Sequence, residues 1–86
     1  MILITIHTLI KDGHTTTVFA QIQPDTAAER TAVFSALKNL QQSEPNLVVD
    51  KNLNVNRGAS LYSLLRRHIK PEFLKLVSLP PRKEQA

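Results

Sequence analysis

Ile2, Ile4, Ile6 and Ile10 place a β-branched apolar residue at nearly every second position, and only Thr8 interrupts the run. Thr16, Val18, Ala20 and Ile22 repeat the period. Alternation of this kind predicts two half-buried strands, with Lys11-Asp12-Gly13 turning the chain between them. A two-residue loop at Asp12-Gly13 would scatter the apolar residues over both faces. A three-residue loop with Gly13 in the left-handed region opposes Ile2 to Ile22, Ile4 to Ala20 and Ile6 to Val18, making one face uniformly apolar. The three-residue loop with a glycine bulge is therefore the expectation, because a one-residue slip inverts every side chain.

Pro24, Asp25 and Thr26 close the hairpin, and Thr26 followed by Glu29 has the form of a capping box. The spacing predicts a helix to about Gln41 whose inner stripe is Val33, Ala36, Leu37 and Leu40. After Pro45, Leu47 and Val49 alternate with polar positions, as do Leu53 and Val55. A second hairpin is expected, with Asp50-Lys51-Asn52 as its loop, Asn52 left-handed and Val49 facing Leu53. Gly58 breaks the chain and Ser60 caps a second helix running to about Ile69, just before Lys70-Pro71. From Pro71 the pattern allows one more short helical turn carrying Phe73, Leu74 and Val77.

The order is thus β-β-α-β-β-α with a short C-terminal helix, an α+β domain of antiparallel hairpins packed on helices. Eighty-six residues hold one core. Residues 1–79 are expected to form that domain and residues 80–86, which lack apolar periodicity, a mobile basic tail.

Apolar content of 42% with 21% charged is that of a globular chain, and the absence of cysteine excludes disulfides, thiolate metal sites and a cysteine nucleophile. The opening Met1 to Ile10 has no basic leader and is shorter than the roughly 20 residues of a membrane span. It is read as a strand of a cytoplasmic protein.

Charge changes the picture more. Up to Asp50 three basic residues meet five acidic ones, a net of −2, whereas from Lys51 onward eight meet two, a net of +6. Such a field favours an anionic partner. On a helical wheel Leu61, Leu64, Leu65, His68 and Ile69 share one arc of the second helix, opposite Ser63, Arg66, Arg67 and Lys70 and with Tyr62 at the border. A basic stripe beside an aromatic ring suits phosphate contact, and Arg57, Arg82 and Lys83 would extend it. The plain alternative is a solvated helix face.

The expected register also turns Leu3, Leu9 and Phe19 outward, with Thr5, His7, Thr15, Thr17 and Gln21. Such a patch needs a cover, either a partner, a symmetric second copy or the chain's own segment around Phe73, Leu74 and Val77. The three histidines do not converge, so neither a metal nor a cofactor is expected. Only Gly13 and Gly58 are glycine, and no phosphate-cradling loop or nucleophile elbow occurs, so no catalytic residues are expected. The leading expectation is a small interaction module that works by protein contact and self-associates, as a homodimer, through Leu3, Leu9 and Phe19. The alternative is a binder of DNA or RNA that uses Arg57, Tyr62, Arg66, Arg67, Lys70, Arg82 and Lys83.

Overall fold

The computed structural model describes residues 1–83, with the side chains of Thr16, Thr17 and Lys83 left aside. It is an α+β domain: β1 (Ile2–Lys11), β2 (His14–Gln23), α1 (Ala27–Ser43), β3 (Asn54–Val55), α2 (Ser60–Leu65), β4 (Leu74–Ser78) and β5 (Arg82–Lys83). The strands form one mixed sheet in the order β3-β2-β1-β4, and β5 also pairs with β1. Among the described residues no helix is long and apolar enough to cross a membrane.

The hairpin keeps the expected faces but not the expected register. Ile4 opposes Ile22, Ile6 opposes Ala20 and Thr8 opposes Val18, a slide of two residues from the predicted pairing. Asp12 and Gly13 both have positive φ, 53° and 77°, so a two-residue turn of the twisted, hairpin-compatible kind joins the strands. The parity that such a turn alone would spoil is restored within β2. Leu9 faces Thr17 while Ile10 faces Thr15, leaving Thr16 as one extra residue in a bulge. Lys11, not Ile10, opposes His14.

Helix α1 follows the sequence closely. The Thr26 hydroxyl accepts the Glu29 amide at 3.1 Å, and Glu29 Oε1 accepts the Thr26 amide at 3.1 Å, closing the capping box. Val33, Ala36, Leu37 and Leu40 are buried. They meet Ile2, Ile4, Ile6, Ala20 and Ile22 in a single core. The helix stops before Pro45, which disfavours helical backbone at Glu44.

The second hairpin shrinks to almost nothing. Leu47–Val49 is no strand; Val49 makes a lone bridge to Val55, not to Leu53, and β3 pairs instead with β2. Two backbone bonds remain, the Asp50 amide donating to the Asn54 carbonyl at 3.1 Å and the Asn56 amide to the Val48 carbonyl at 3.2 Å, and side chains reinforce them. Asp50 Oδ1 accepts the amides of Asn52 and Asn54 at 2.8 and 2.9 Å, and Asn56 Oδ1 accepts the Val48 amide at 2.8 Å. Leu53, not Asn52, takes the left-handed conformation, with φ of 60°, and its side chain is buried. Core burial there outweighs the local steric cost of about 1–2 kcal/mol.

Helix α2 is shorter than its apolar arc. It ends at Leu65, Ala59 rather than Ser60 stands at its N-cap, and no side chain caps it. Tight turns carry the chain on to Ile69, which is buried, while His68 is exposed rather than on a core arc. The expected C-terminal helix is a 3-10 turn at Pro71–Phe73, after which residues 74–78 run as β4, parallel to β1. Leu74 opposes Ile2 and is buried, so core burial and pairing with an open strand edge prevail over helix formation. The Leu79 amide donates to the Ile6 carbonyl at 3.1 Å. Pro80 and Pro81 have no amide to donate, and pairing resumes when Arg82 and Lys83 meet Leu9 and Ile10. The expected tail thus includes a short strand, and residues 84–86 lie outside the described residues.

Candidate functional site

Partners across a sheet share a face, so the register sorts every strand residue. Ile2, Ile4, Ile6, Ala20, Ile22, Val55 and Leu74 point to one side and are buried there with residues of both helices and of the 44–53 segment. Leu3, Thr5, His7, Leu9 and Lys11 of β1 point to the other side. They are joined there by Phe19, Gln21 and Gln23 of β2, Asn54 of β3, Lys75 and Val77 of β4 and Arg82 of β5. No helix residue is buried against this second face, which is open.

Leu3, Leu9, Phe19 and Val77 on this face are half-buried, with Thr5 and His7 between Leu3 and Leu9 along β1. The C-terminal segment therefore does not cover the patch, as one expectation had it. It joins the sheet edge, and Val77 enlarges the patch. The His7 and Phe19 rings stack across the strands with centroids 4.6 Å apart and planes 8° from parallel. His7 Nε2 is buried and has no hydrogen-bond partner, an arrangement costing about 1–3 kcal/mol when nothing occupies it.

Lys11, Lys75 and Arg82 on this face are all exposed, and none of the described strand residues on the face is acidic; the Asp50 carboxylate meets it at Asn54, on the β3 side, accepting Asn54 Nδ2 at 3.1 Å. Among the described residues the ion pairs are those of the Met1 amine with Asp25 and Glu29, so these three cations are unpaired.

The residues expected to form one basic stripe are not brought together. Arg57 is half-buried and spent on local fastening, its Nη1 donating to the Asn56 carbonyl at 3.0 Å and to Asn56 Oδ1 at 3.1 Å. Arg66 lies over the Tyr62 ring at 5.9 Å. Arg66, Arg67 and Lys70 are exposed, but they follow the end of α2 instead of lining it. Leu61 and Leu65 of α2 enter the core on the helix side, whereas Arg82 stands beside Leu9 on the open face. Lys83 pairs with Ile10 through its backbone.

A cleft of about 490 Å³ bounded by Pro24, Asp25, Arg30 and Asn52 brings together no nucleophile and base. Among the described residues no group of three or more histidines and carboxylates is placed to hold a metal. The open face offers apolar side chains, a stacked ring pair, amides and cations.

Compared with known proteins, the chain matches no family model, no curated protein and no solved structure.

Proposed function

We propose that this chain is a non-catalytic interaction module whose contact surface is the open face of the sheet and whose partner is anionic. The observation that carries the reading is the row of unpaired Lys11, Lys75 and Arg82 beside the half-buried Leu3, Leu9 and Phe19, on a face whose described strand residues include no acid and which the Asp50 carboxylate meets at Asn54, on the β3 side. Such a surface attracts negative charge at long range and rewards close contact with apolar burial.

Retention on immobilised heparin tests it. The triple variant Lys11→Gln, Lys75→Gln, Arg82→Gln is expected to elute at clearly lower salt than Arg66→Gln, Arg67→Gln, Lys70→Gln, although each removes three charges. An equal or larger loss in the second variant would move the contact surface to the end of α2 and defeat the reading.

A second reading has its own support. Leu3, Leu9, Phe19 and Val77 are half-buried apolar side chains on a face that no helix covers, which suits a symmetric dimer. Each copy would bring three unpaired cations to that interface, which opposes it. Sedimentation at increasing concentration separates the two. A dimer dispersed by Phe19→Asp favours self-association, and a monomer throughout favours the anionic partner.

A further inference from the structure

We propose that the anionic partner is a single-stranded nucleic acid, laid across the open sheet with bases against the His7–Phe19 pair and Leu3, and phosphates along Lys75, Arg82 and Lys11. The proposal rests on the preceding reading and deepens it.

The cations are arranged as a row. β4 and β5 both lie along the same side of β1, Lys75 opposite Leu3 and Arg82 opposite Leu9. Six strand residues separate those positions, roughly 20 Å at the usual rise of a strand, and Lys11 continues the row beyond them. A row of single charges at the border of a flat surface matches a polymer with charge repeated along its length better than it matches a compact anion. The length corresponds to about four nucleotides, the low end of what a β-sheet binding platform engages.

Inside the row lies what such a polymer carries besides charge. Every base has a π-face, and His7 and Phe19, stacked at 4.6 Å, present a ring pair that lengthens a stack without regard to sequence. On the β2 side, Gln21 and Gln23 bring amide donors and acceptors to the same face. In a duplex the bases are stacked on one another and show only their edges in the grooves, whereas a single strand can turn its base faces onto the ring pair. An acidic protein would meet the charge but would leave the ring pair and the amides without matched partners.

The test is fluorescence anisotropy with labelled oligothymidine and oligouridine of about twelve nucleotides, long enough for the expected site. A duplex and an abasic strand of the same length serve as controls. The variants are Phe19→Leu, which keeps an apolar side chain but removes the ring, and Arg82→Gln, each checked for unchanged melting. The intact protein is expected to bind the single strands about tenfold tighter than the duplex or the abasic strand. Phe19→Leu should lose about five- to tenfold on the base-bearing strands only, with the salt dependence unchanged. Arg82→Gln should weaken all ligands and reduce the slope of log K against log salt by about 0.7.

Equal binding of the abasic strand, no effect of Phe19→Leu, or a preference for duplex would each overturn the inference. If heparin retention still maps to the sheet face in those cases, the anionic-partner reading stands and an acidic protein becomes its object. Absence of binding to heparin and to every oligonucleotide sinks both.

Discussion

Glu29 holds the amine of Met1 at 2.8 Å through Oε2, while its Oε1 accepts the amides of Asp25 and Thr26 at 3.2 and 3.1 Å. One carboxylate therefore caps α1 and ties the start of β1 to it. The amine, foremost, holds the Glu29 carboxyl below the usual glutamate range, and the two amides add to this. A depressed folded value means that the interaction is fully present above the unfolded pKa and is lost as pH falls through the lower, folded one. Stability is thus expected to decline on acidification from about pH 4 downward. Acetylation of the amine should raise the Glu29 titration seen by NMR, and Glu29→Gln should flatten the acid limb of a melting-temperature profile. A Glu29 titration indifferent to acetylation would remove the amine from the account.

Gly58 and Val18 touch in a way that a methyl group would spoil. A Cβ added at Gly58 would stand 2.9 Å from Val18 Cγ1, closer than such atoms approach. Val18 is 39% exposed and able to shift, so Gly58→Ala should cost about 1 kcal/mol, the low end of overpacking. In urea unfolding the double variant with Val18→Ala should regain most of that loss. If the double variant is as weak as the sum of the single ones, the contact is not the cause.

Leu61 of α2 is fully buried in the core, whereas Phe34 on α1 is 47% exposed. Leu61→Ala is expected to cost about 2–5 kcal/mol and lower the melting temperature by on the order of 10 °C or more. Phe34→Ala should stay within about 0.5 kcal/mol despite Arg30 lying 5.7 Å from its ring. Comparable losses from the two changes would contradict the assignment of the core to the helix side of the sheet.

Asp50 organises the turn before β3, its Oδ2 accepting Asn54 Nδ2 at 3.1 Å in addition to the two amides at Oδ1. Hydrogen bonds donated by Asn54, from its backbone amide first and its side-chain amide next, hold the Asp50 carboxyl below the usual aspartate range. Its contribution is therefore also lost as pH falls through the folded value. Asp50→Ala should speed hydrogen exchange at the Asn52 and Asn54 amides, and Asp50→Asn, which keeps one acceptor oxygen, should speed it less. Unchanged exchange in the alanine variant would show that the turn is held by Leu53 packing alone.

Period-two patterning made the faces of the first hairpin legible but not its register. Ile4 opposite Ala20 and Ile4 opposite Ile22 put the same residues on the same face, so alternation is blind to a two-residue slide, and the bulge at Thr16 has no hydrophobic signature. Helix α1 was legible to its cap because Thr26, Glu29 and the Val33–Leu40 stripe are local signals. Residues 74–78 were not, since Pro71 reads as a helix start and the strand exists only because β1 offers it an edge. The candidate site divides the same way. Leu3, Leu9 and Phe19 face outward as alternation predicts, but the Lys75 and Arg82 part of the rim depends on non-local pairing that the linear sequence does not display. It had suggested instead a stripe on α2, which ends before Arg66.

Placing β1 between β2 on one side and β4 with β5 on the other has a consequence for how the molecule is made. A chain emerging from the ribosome can close the β1–β2 hairpin and lay α1 on it early, since those contacts are near in sequence. The far edge of β1 then waits for residues 74–83, the latest part of the described chain to be synthesised. Until they arrive, a ten-residue strand stands with its outer hydrogen-bonding groups unclaimed, open to pairing with a neighbouring nascent chain. The last-made strands are in this sense the closure of the first, and slow translation of the final stretch would lengthen the interval in which misassembly competes with folding.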